Sequence, residues 1–331
     1  MEKRIKMSDN IKVLVTGGAG FIGSHLVHHL LKYGYEVVIL DNLSTGSMEN
    51  VEAAMMGEDG KRLDVSSPRV IIGNVEDEVA TALAVSGCRY VFHVAALGSV
   101  PRSIVEPMDS HKANSTSTLA LLHACKSAGV QRVVFSSSSS VYGDVDCEFK
   151  METLPFNPKT PYAAQKCISE EYMHMYWKMH GLSTVCLRYF NVFGPRQSDQ
   201  SEYAAVIPKI IRACRDGDYK FKIHGDGKQS RDFTYVDNVV HANLKAMLTI
   251  AGLPSGESYN IAMGESHTLN DLVSAISSIT GVDRKFEHTS DRIGDIKHSK
   301  ADIYKAKDQL KYRPQVGFTE GLGATVASYL Q

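Results

Sequence analysis

The chain has 331 residues, 43% of them apolar, with 36 basic and 37 acidic side chains giving a formal net charge of −1. That is enough apolar material to bury a large core, as one large or two modest domains, and the evenly mixed charge gives no footprint for nucleic acid or an anionic membrane. Residues 1–10 begin basic but lead into no apolar stretch, and no later run is long enough to span a bilayer, so the cytoplasm is the expected compartment.

The rest of the chain is organised around Ile11-Lys-Val-Leu-Val-Thr-Gly17-Gly-Ala-Gly20-Phe-Ile-Gly23, which reads as strand, tight turn, helix. Gly17 lets the backbone turn sharply, Gly20 clears the approach of a pyrophosphate, and Gly23 lets the helix pack close to the sheet. The helix N-terminus offers free N–H groups and partial positive charge to a diphosphate. A second apolar run, Glu36-Val-Val-Ile-Leu40, ends in Asp41, placed to accept both hydroxyls of an adenosine ribose. Asp41 would repel a 2′-phosphate, and the following loop, Asn42-Leu-Ser44-Thr-Gly46, lacks a basic residue, so NAD is expected rather than NADP.

A polar, glycine-bearing span near 42–68 fits a short helix and an exposed loop. The third strand is Arg69-Val-Ile-Ile-Gly73, with Asn74 and Val75 at its end; Asn74 suits either an adenine edge or a strand-end turn. The fourth strand, Arg89 to Ala96, ends in the small residues Ala95 and Ala96, where a nicotinamide or ribose can approach the backbone. A helical pattern from about His111 to Gly129 places Leu119, Leu122 and Cys125 on one face, and Gln131-Arg-Val-Val-Phe135 is the fifth strand. Alternating strand and helix from 11 to 189 implies a parallel sheet covered on both faces: an α/β, Rossmann-type doubly wound domain over residues 10–190. A later strand near 258–262 is expected to return to it. From about 191 the pattern loosens, with helices near 203–216, 237–250 and 268–280 and short strands near 220–224 and 232–236. A smaller α/β substrate-binding lobe is expected over most of 191–331, with the ligand between the two.

The six cysteines, at 88, 125, 147, 167, 186 and 214, form no Cys-x-x-Cys pair and read as buried thiols in a reducing compartment. The 13 histidines show no metal-ligand spacing, so no metal is expected.

The chemistry is carried by strand five running into Ser136-Ser-Ser138-Ser139-Ser140-Val-Tyr142, followed by Pro161-Tyr162-Ala-Ala-Gln-Lys166. The i, i+4 spacing places phenol and ammonium on one helix face. A phenol titrates near pH ~10. A neighbouring ammonium and an oxidised nicotinamide both favour its phenolate, lowering the value toward that of a useful base.

Thr16-Gly-Gly-Ala-Gly-Phe-Ile-Gly23, the serine loop, Tyr162-x3-Lys166 and Leu187-Arg-Tyr-Phe-Asn191-Val-Phe-Gly-Pro together resemble the extended short-chain dehydrogenases/reductases that modify nucleotide sugars. The resemblance covers about residues 10–325, and within the group it is greatest to the UDP-hexose 4-epimerases, especially those acting on N-acetylated sugars. It implies catalysis by Ser138, Tyr162 and Lys166 and an NAD site that includes Phe21, Ile22, Asn42, Ser44, Gly46 and Tyr189 besides the residues above. In this loop the 4,6-dehydratases of the group carry an Asp-Glu pair and the sugar-acid decarboxylases a Glu; Ser139 and Ser140 stand there instead, which leaves oxidation at C4 and its reversal. Asn191, Arg231 and Arg292 are implied for the diphosphate, with the forked guanidinium suited to the task. Ala205, Val206, Ile223 and His224 are implied for the uridine, although Lys222 stands where relatives often have an aromatic. Glucose-selective relatives carry a tyrosine at the position of Ser299 and a lysine at that of Gly98. Both are small here, so an N-acetyl group should fit, with Ser99 and Ser139 available to bond it.

The expected substrates are therefore UDP-GlcNAc/UDP-GalNAc, with UDP-Glc/UDP-Gal also accepted. An acidic sugar, UDP-GlcNAcA or UDP-GlcA, stays open, because Arg102 or Gln197 could meet a carboxylate. A non-catalytic NAD sensor and a net dehydrogenase are the further alternatives. A homodimer is implied through the helices near 111–129 and 161–180, whose faces include Tyr172, Met175, Tyr176 and Met179.

Overall fold

The computed structural model describes residues 11–57, 59–199, 205–217, 221–249, 255–282, 286–290 and 297–330. Seven parallel strands form the central sheet: β1 (Lys12–Thr16), β2 (Glu36–Asp41), β3 (Arg69–Ile72), β4 (Tyr90–His93), β5 (Arg132–Ser138), β6 (Ser183–Tyr189) and, out of numerical sequence, Glu257–Ile261, numbered β11 below. Their order is β11-β6-β5-β4-β1-β2-β3, with Lys12 opposite Glu36 and Val13 opposite Tyr90 at the centre. The order reverses between β1 and β4, which opens a crevice at the carboxyl ends of those strands.

Period-two alternation covers both faces of this sheet. Val13, Val15, Val37 and Ile39 enter one buried cluster and Leu14, Val38 and Leu40 the other, as strands buried on two sides require. The connecting helices are α1 (Phe21–Lys32), α2 (Met48–Ala54), α3 (Glu78–Val85), α4 (Val100–Val105), α5 (Pro107–His111), α6 (Ser117–Ser127) and α7 (Pro161–His180). The pattern read as one helix from His111 is divided: α5 is joined to α6 by a π-helical turn over Lys112–Thr116. Leu119 also departs from the expected face. It is 38% exposed, while Leu121, Leu122 and Cys125 are buried.

The smaller lobe is built from short pieces: β7 (Val192–Phe193), α8 (Val206–Asp216), β8 (Ile223–His224), β9 (Ser230–Arg231), β10 (Thr234–Tyr235), β12 (His267–Thr268), α10 (Leu269–Thr280), β13 (His288–Thr289) and α11 (Phe318–Leu330). The last helix, α11, packs with α8 and α10 around Phe193, Ile210, Phe233, Leu272 and Phe318. The helix expected in this lobe near 237–250 lies elsewhere. It is α9 (Val236–Leu248), and it packs against α1, β5 and β6 on the large sheet; Arg132 of β5 donates to its Ala246 carbonyl at 2.8 Å. Among the described residues no helix is long and apolar enough to cross a membrane. Five cysteines are buried, but Cys147 is exposed, contrary to expectation, because it lies on the loop between Gly143 and α7 rather than in an apolar element.

Candidate active site

At the glycine turn the backbone itself makes the wall. Gly17 adopts φ +71°, and a Cβ there would lie 2.7 Å from the Ala95 backbone. A Cβ on Gly23 would lie 2.0 Å from the Gly17 carbonyl oxygen, and one on Gly46 2.6 Å from the Ala19 carbonyl. The first turn of α1 holds no acidic residue and no side-chain cap, leaving its N–H groups to a ligand. Asp41 is fixed by two backbone donors, Ala19 N to Oδ2 at 2.9 Å and Leu43 N to Oδ1 at 2.8 Å. Each oxygen keeps a lone pair for a further donor. Asn74 takes the turn role: its carbonyl accepts from Asp77 N, and its side chain accepts from Asn42 Nδ2 at 2.7 Å on the cleft wall.

Ser138 closes β5, and its hydroxyl accepts from Ser140 N at 3.2 Å, capping a 3-10 turn over Ser139–Tyr142. Helix α7 begins at Pro161 with Thr160 as its cap, and Tyr162 N donates to Ser103 Oγ of α4 at 3.1 Å. One turn on, the buried Lys166 donates from Nζ to the Ser136 carbonyl at 2.7 Å. It lies 4.6 Å from the centre of the Phe135 ring and 5.8 Å from that of Tyr162. In the protein alone the phenol is not lowered as expected. Burial pushes Tyr162 up to about 12, against a hydrogen bond with Ser138 that lowers it, because a phenolate loses more solvation than a phenol. Burial takes Lys166 the other way, down to about 8, with Glu170 the main charge holding it up.

A cleft of about 1110 Å³ joins these pieces, larger than most small-molecule sites. Its wall includes Gly17, Gly20, Phe21, Ile22, Gly23, Asp41, Asn42, Ser44, Asn74, Val75, Ala95, Ala96 and Gly98, then Ser138, Ser139, Ser140, Tyr162, Lys166, Tyr189, Asn191, Gln197, Arg231 and Ser299. Ala205, Val206, Ile223 and His224 line an adjoining cavity of about 630 Å³, which shares Asn191, Gln197 and Arg231 with the first. The buried Ser140 Oγ and Gln197 Oε1 have no partner among the described residues, as groups awaiting a polar ligand do.

Comparison with known proteins agrees with this geometry. Residues 13–262 match the model of the NAD dependent epimerase/dehydratase family. The chain belongs to that family. A UDP-glucose 4-epimerase of Mycolicibacterium smegmatis is 36% identical over 317 residues, spanning 96% of this chain and 97% of its own length. Among solved structures, a UDP-N-acetylglucosamine 4-epimerase from Methanobrevibacter ruminantium in complex with UDP-N-acetylmuramic acid has a TM-score of 0.88 at 39% identity, covering 97% of this chain and 99% of that one. A Thermus thermophilus UDP-glucose 4-epimerase in complex with NAD has a TM-score of 0.83 at 34% identity, covering 96% and 99%.

NAD is the cofactor of this family member, and the residues present fit it. The glycine turn leaves no room for side chains at the N-terminus of α1, as a diphosphate would require, and Asp41 presents a carboxylate held by backbone amides, as a ribose would require. Two of the residues named from sequence lie off the cleft, and a third lies outside the described residues. Gly46 supports the turn through its approach to Ala19, Ser99 uses its hydroxyl to accept from Arg102 N as the cap of α4, and Arg292 lies outside the described residues. Sequence reasoning missed Thr45, Lys159, Thr160 and Val192 on the main cleft, and Phe221 and Phe233 on the adjoining cavity. The Thr160-Pro161 cap signal was available for two of the neighbouring positions. Phe221, one residue before Lys222, supplies an aromatic to the wall where Lys222 had suggested none.

Proposed function

We propose that this enzyme interconverts the C4 epimers of a UDP-hexose, with UDP-GlcNAc/UDP-GalNAc favoured and UDP-Glc/UDP-Gal also accepted. The observation that carries the reading is the position of Ser138, Tyr162 and Lys166 on one cleft wall, with the NAD cradle on one side and the adjoining cavity on the other. Tyr162 takes the proton from the C4 hydroxyl, and Ser138 hydrogen-bonds the same oxygen. Lys166 supplies the positive charge behind the phenol. NAD, when bound, supplies the hydride acceptor and donor at C4. A 4-keto sugar then turns over about its link to the diphosphate, so that its other face meets the cofactor and Tyr162 returns the proton. Asn191, Arg231 and Arg292 serve the diphosphate.

Sugar size is supported by Gly98, where an added Cβ would meet nothing within 4 Å, and by the small Ser299 on the wall. Charge favours a neutral sugar. Gln197 donates from Nε2 to the Val192 carbonyl at 3.2 Å, and its Oε1, without a partner among the described residues, is an acceptor for a sugar hydroxyl or an N-acetyl N–H. Arg102 is already paired with Glu106 at 2.7 Å.

The test is to incubate the purified protein with UDP-GlcNAc, UDP-Glc and UDP-GlcNAcA, with and without added NAD, and resolve the C4 epimers by NMR. Fastest epimerisation of UDP-GlcNAc is expected; fastest turnover of UDP-GlcNAcA would move the assignment to a sugar-acid epimerase, and no epimer from any of them would remove it. A homodimer through α6 and α7 is part of the proposal. It is supported by the exposed Leu119, Ile168, Met175 and Met179 along those helices, and sedimentation of a Met175→Glu variant should show half the wild-type mass.

A further inference from the structure

Four residues beyond Lys166, α7 carries Glu170, only 4% exposed, so that Tyr162, Lys166 and Glu170 follow one helix face. Its carboxylate receives donors from three strands: the Ser137 hydroxyl of β5, Arg188 of β6 through Nε at 3.0 Å and Nη2 at 2.8 Å, and the Ser258 hydroxyl of β11 at 2.7 Å. Ser137 and Arg188 are partners in the sheet register, so the set is presented by the sheet itself. Burying this ion pair strips two charges of water, a cost that apolar packing of the same volume avoids, so stability alone does not account for it.

Two features tie Glu170 to the catalytic end. Ser137 sits between Ser136, whose carbonyl receives Lys166 Nζ, and Ser138, which bonds Tyr162. Movement of Ser137 therefore moves both contacts. The titratable groups facing Lys166 are Tyr162 and Glu170 on α7, Cys186 on β6 and His93 on β4. Burial raises the Cys186 thiol well above its usual range and lowers His93 to about 3, so both are neutral at neutral pH. Of these groups Glu170 is the carboxylate, and Ser137, Arg188 and Ser258 all donate to it.

We propose that Glu170, locked by Ser137, Arg188 and Ser258, is a positioning residue that places its carboxylate one turn behind Lys166 and holds β5 in place, and so sets how readily Tyr162 gives up its proton. This rests on the assignment of Tyr162 and Lys166 to acid–base chemistry. Glu170→Gln keeps the shape and removes the charge. Glu170→Gln/Arg188→Met removes both charges, so that no buried cation is stranded if the single variant folds poorly.

The readouts are kcat against pH for C4 inversion and the ultraviolet titration of the Tyr162 phenolate in the NAD-loaded enzyme, taken as the difference from Tyr162→Phe. Glu170→Gln should show roughly tenfold lower kcat at neutral pH, KM within about twofold, the alkaline limb about one unit lower and the phenolate titration about one unit higher; the double variant, which loses a cation with the anion, should show the same loss of kcat with smaller displacements of both titrations in the same directions. Glu170→Asp, which keeps the charge, should restore the position of the alkaline limb. Folded variants with the wild-type limb and the wild-type phenolate titration would overturn the proposal. Tyr162→Phe and Lys166→Met separate the two claims: wild-type turnover by both removes the acid–base assignment and the proposal with it, while inactivity of both beside unchanged Glu170 variants removes the role of Glu170 alone.

Discussion

The two sides of the cleft are built from different materials. On the large-sheet side the wall is mostly backbone: the turn at Gly17, the close approach of Gly23, the amides that hold Asp41. On the side of the smaller lobe it is side chains carried by loops and two-residue strands, with Asn191, Gln197, Arg231 and Ser299 drawn from segments scattered over more than a hundred residues. A backbone wall has few alternatives, since one added methyl collides with main chain that cannot move aside. A side-chain wall can be repopulated without disturbing the fold, so cofactor choice should resist substitution and sugar choice should yield to it.

The sharpest break is expected where the two sides meet. Tyr162→Phe should lower kcat by about a thousandfold or more, within the range of a lost acid–base group, while NAD binding and thermal stability stay as in the wild type. Next, Gly23→Ala should destabilise the fold by about 3 kcal/mol in chemical denaturation and abolish NAD binding, because the new methyl overlaps the Gly17 carbonyl. Ser299→Tyr should cut kcat/KM for UDP-GlcNAc by roughly a hundredfold while leaving UDP-Glc within about threefold, since pocket filling discriminates by about 1–3 kcal/mol. Equal losses on both sugars would deny that the lobe selects by size. Asp41→Asn should weaken NAD about tenfold by equilibrium titration, as loss of one charge-assisted bond does.

The smallest effect concerns pH. His25 and His93 are both lowered from 6.5 to about 3, chiefly by burial, so each is neutral in the fold and protonates in the unfolded chain. The unfolded state then binds more protons below 6.5, and stability present above that value is lost as pH falls toward 3. Asp232, raised by burial to about 6, opposes this, because its protonation on folding adds stability as pH falls through 6. With two imidazoles against one carboxyl, the melting temperature should fall by a few degrees between about pH 6.5 and about pH 5, and His93→Gln should flatten the slope.

The same difference in materials governs what could be read in advance. Gly17, Gly23 and Asp41 are legible because steric and charge requirements act within a few residues of one turn. The allegiance of α9 is not: an apolar stripe shows that a helix is buried on one side, and both the large sheet and the smaller lobe offered a face for it. Glu170 was invisible for a related reason. Its spacing from Lys166 was plain, but its meaning depends on Arg188, 18 positions on, and Ser258, 88 positions on. Only pairing of β11 with β6 brings Ser258 to the same place. The Tyr162 phenol shows the limit of motif chemistry, because in the protein alone burial outweighs the one contact that lowers it, the hydrogen bond with Ser138.

The central claim is that C4 is oxidised and reduced again within one bound complex, with Tyr162 handling only the hydroxyl proton. A UDP-hexose carrying deuterium at C4, converted by the NAD-loaded enzyme in ordinary water, tests it most directly. The epimer formed should keep its deuterium at C4, and the parallel reaction of unlabelled sugar in heavy water should place none there. Solvent hydrogen at C4 in either experiment would contradict the account.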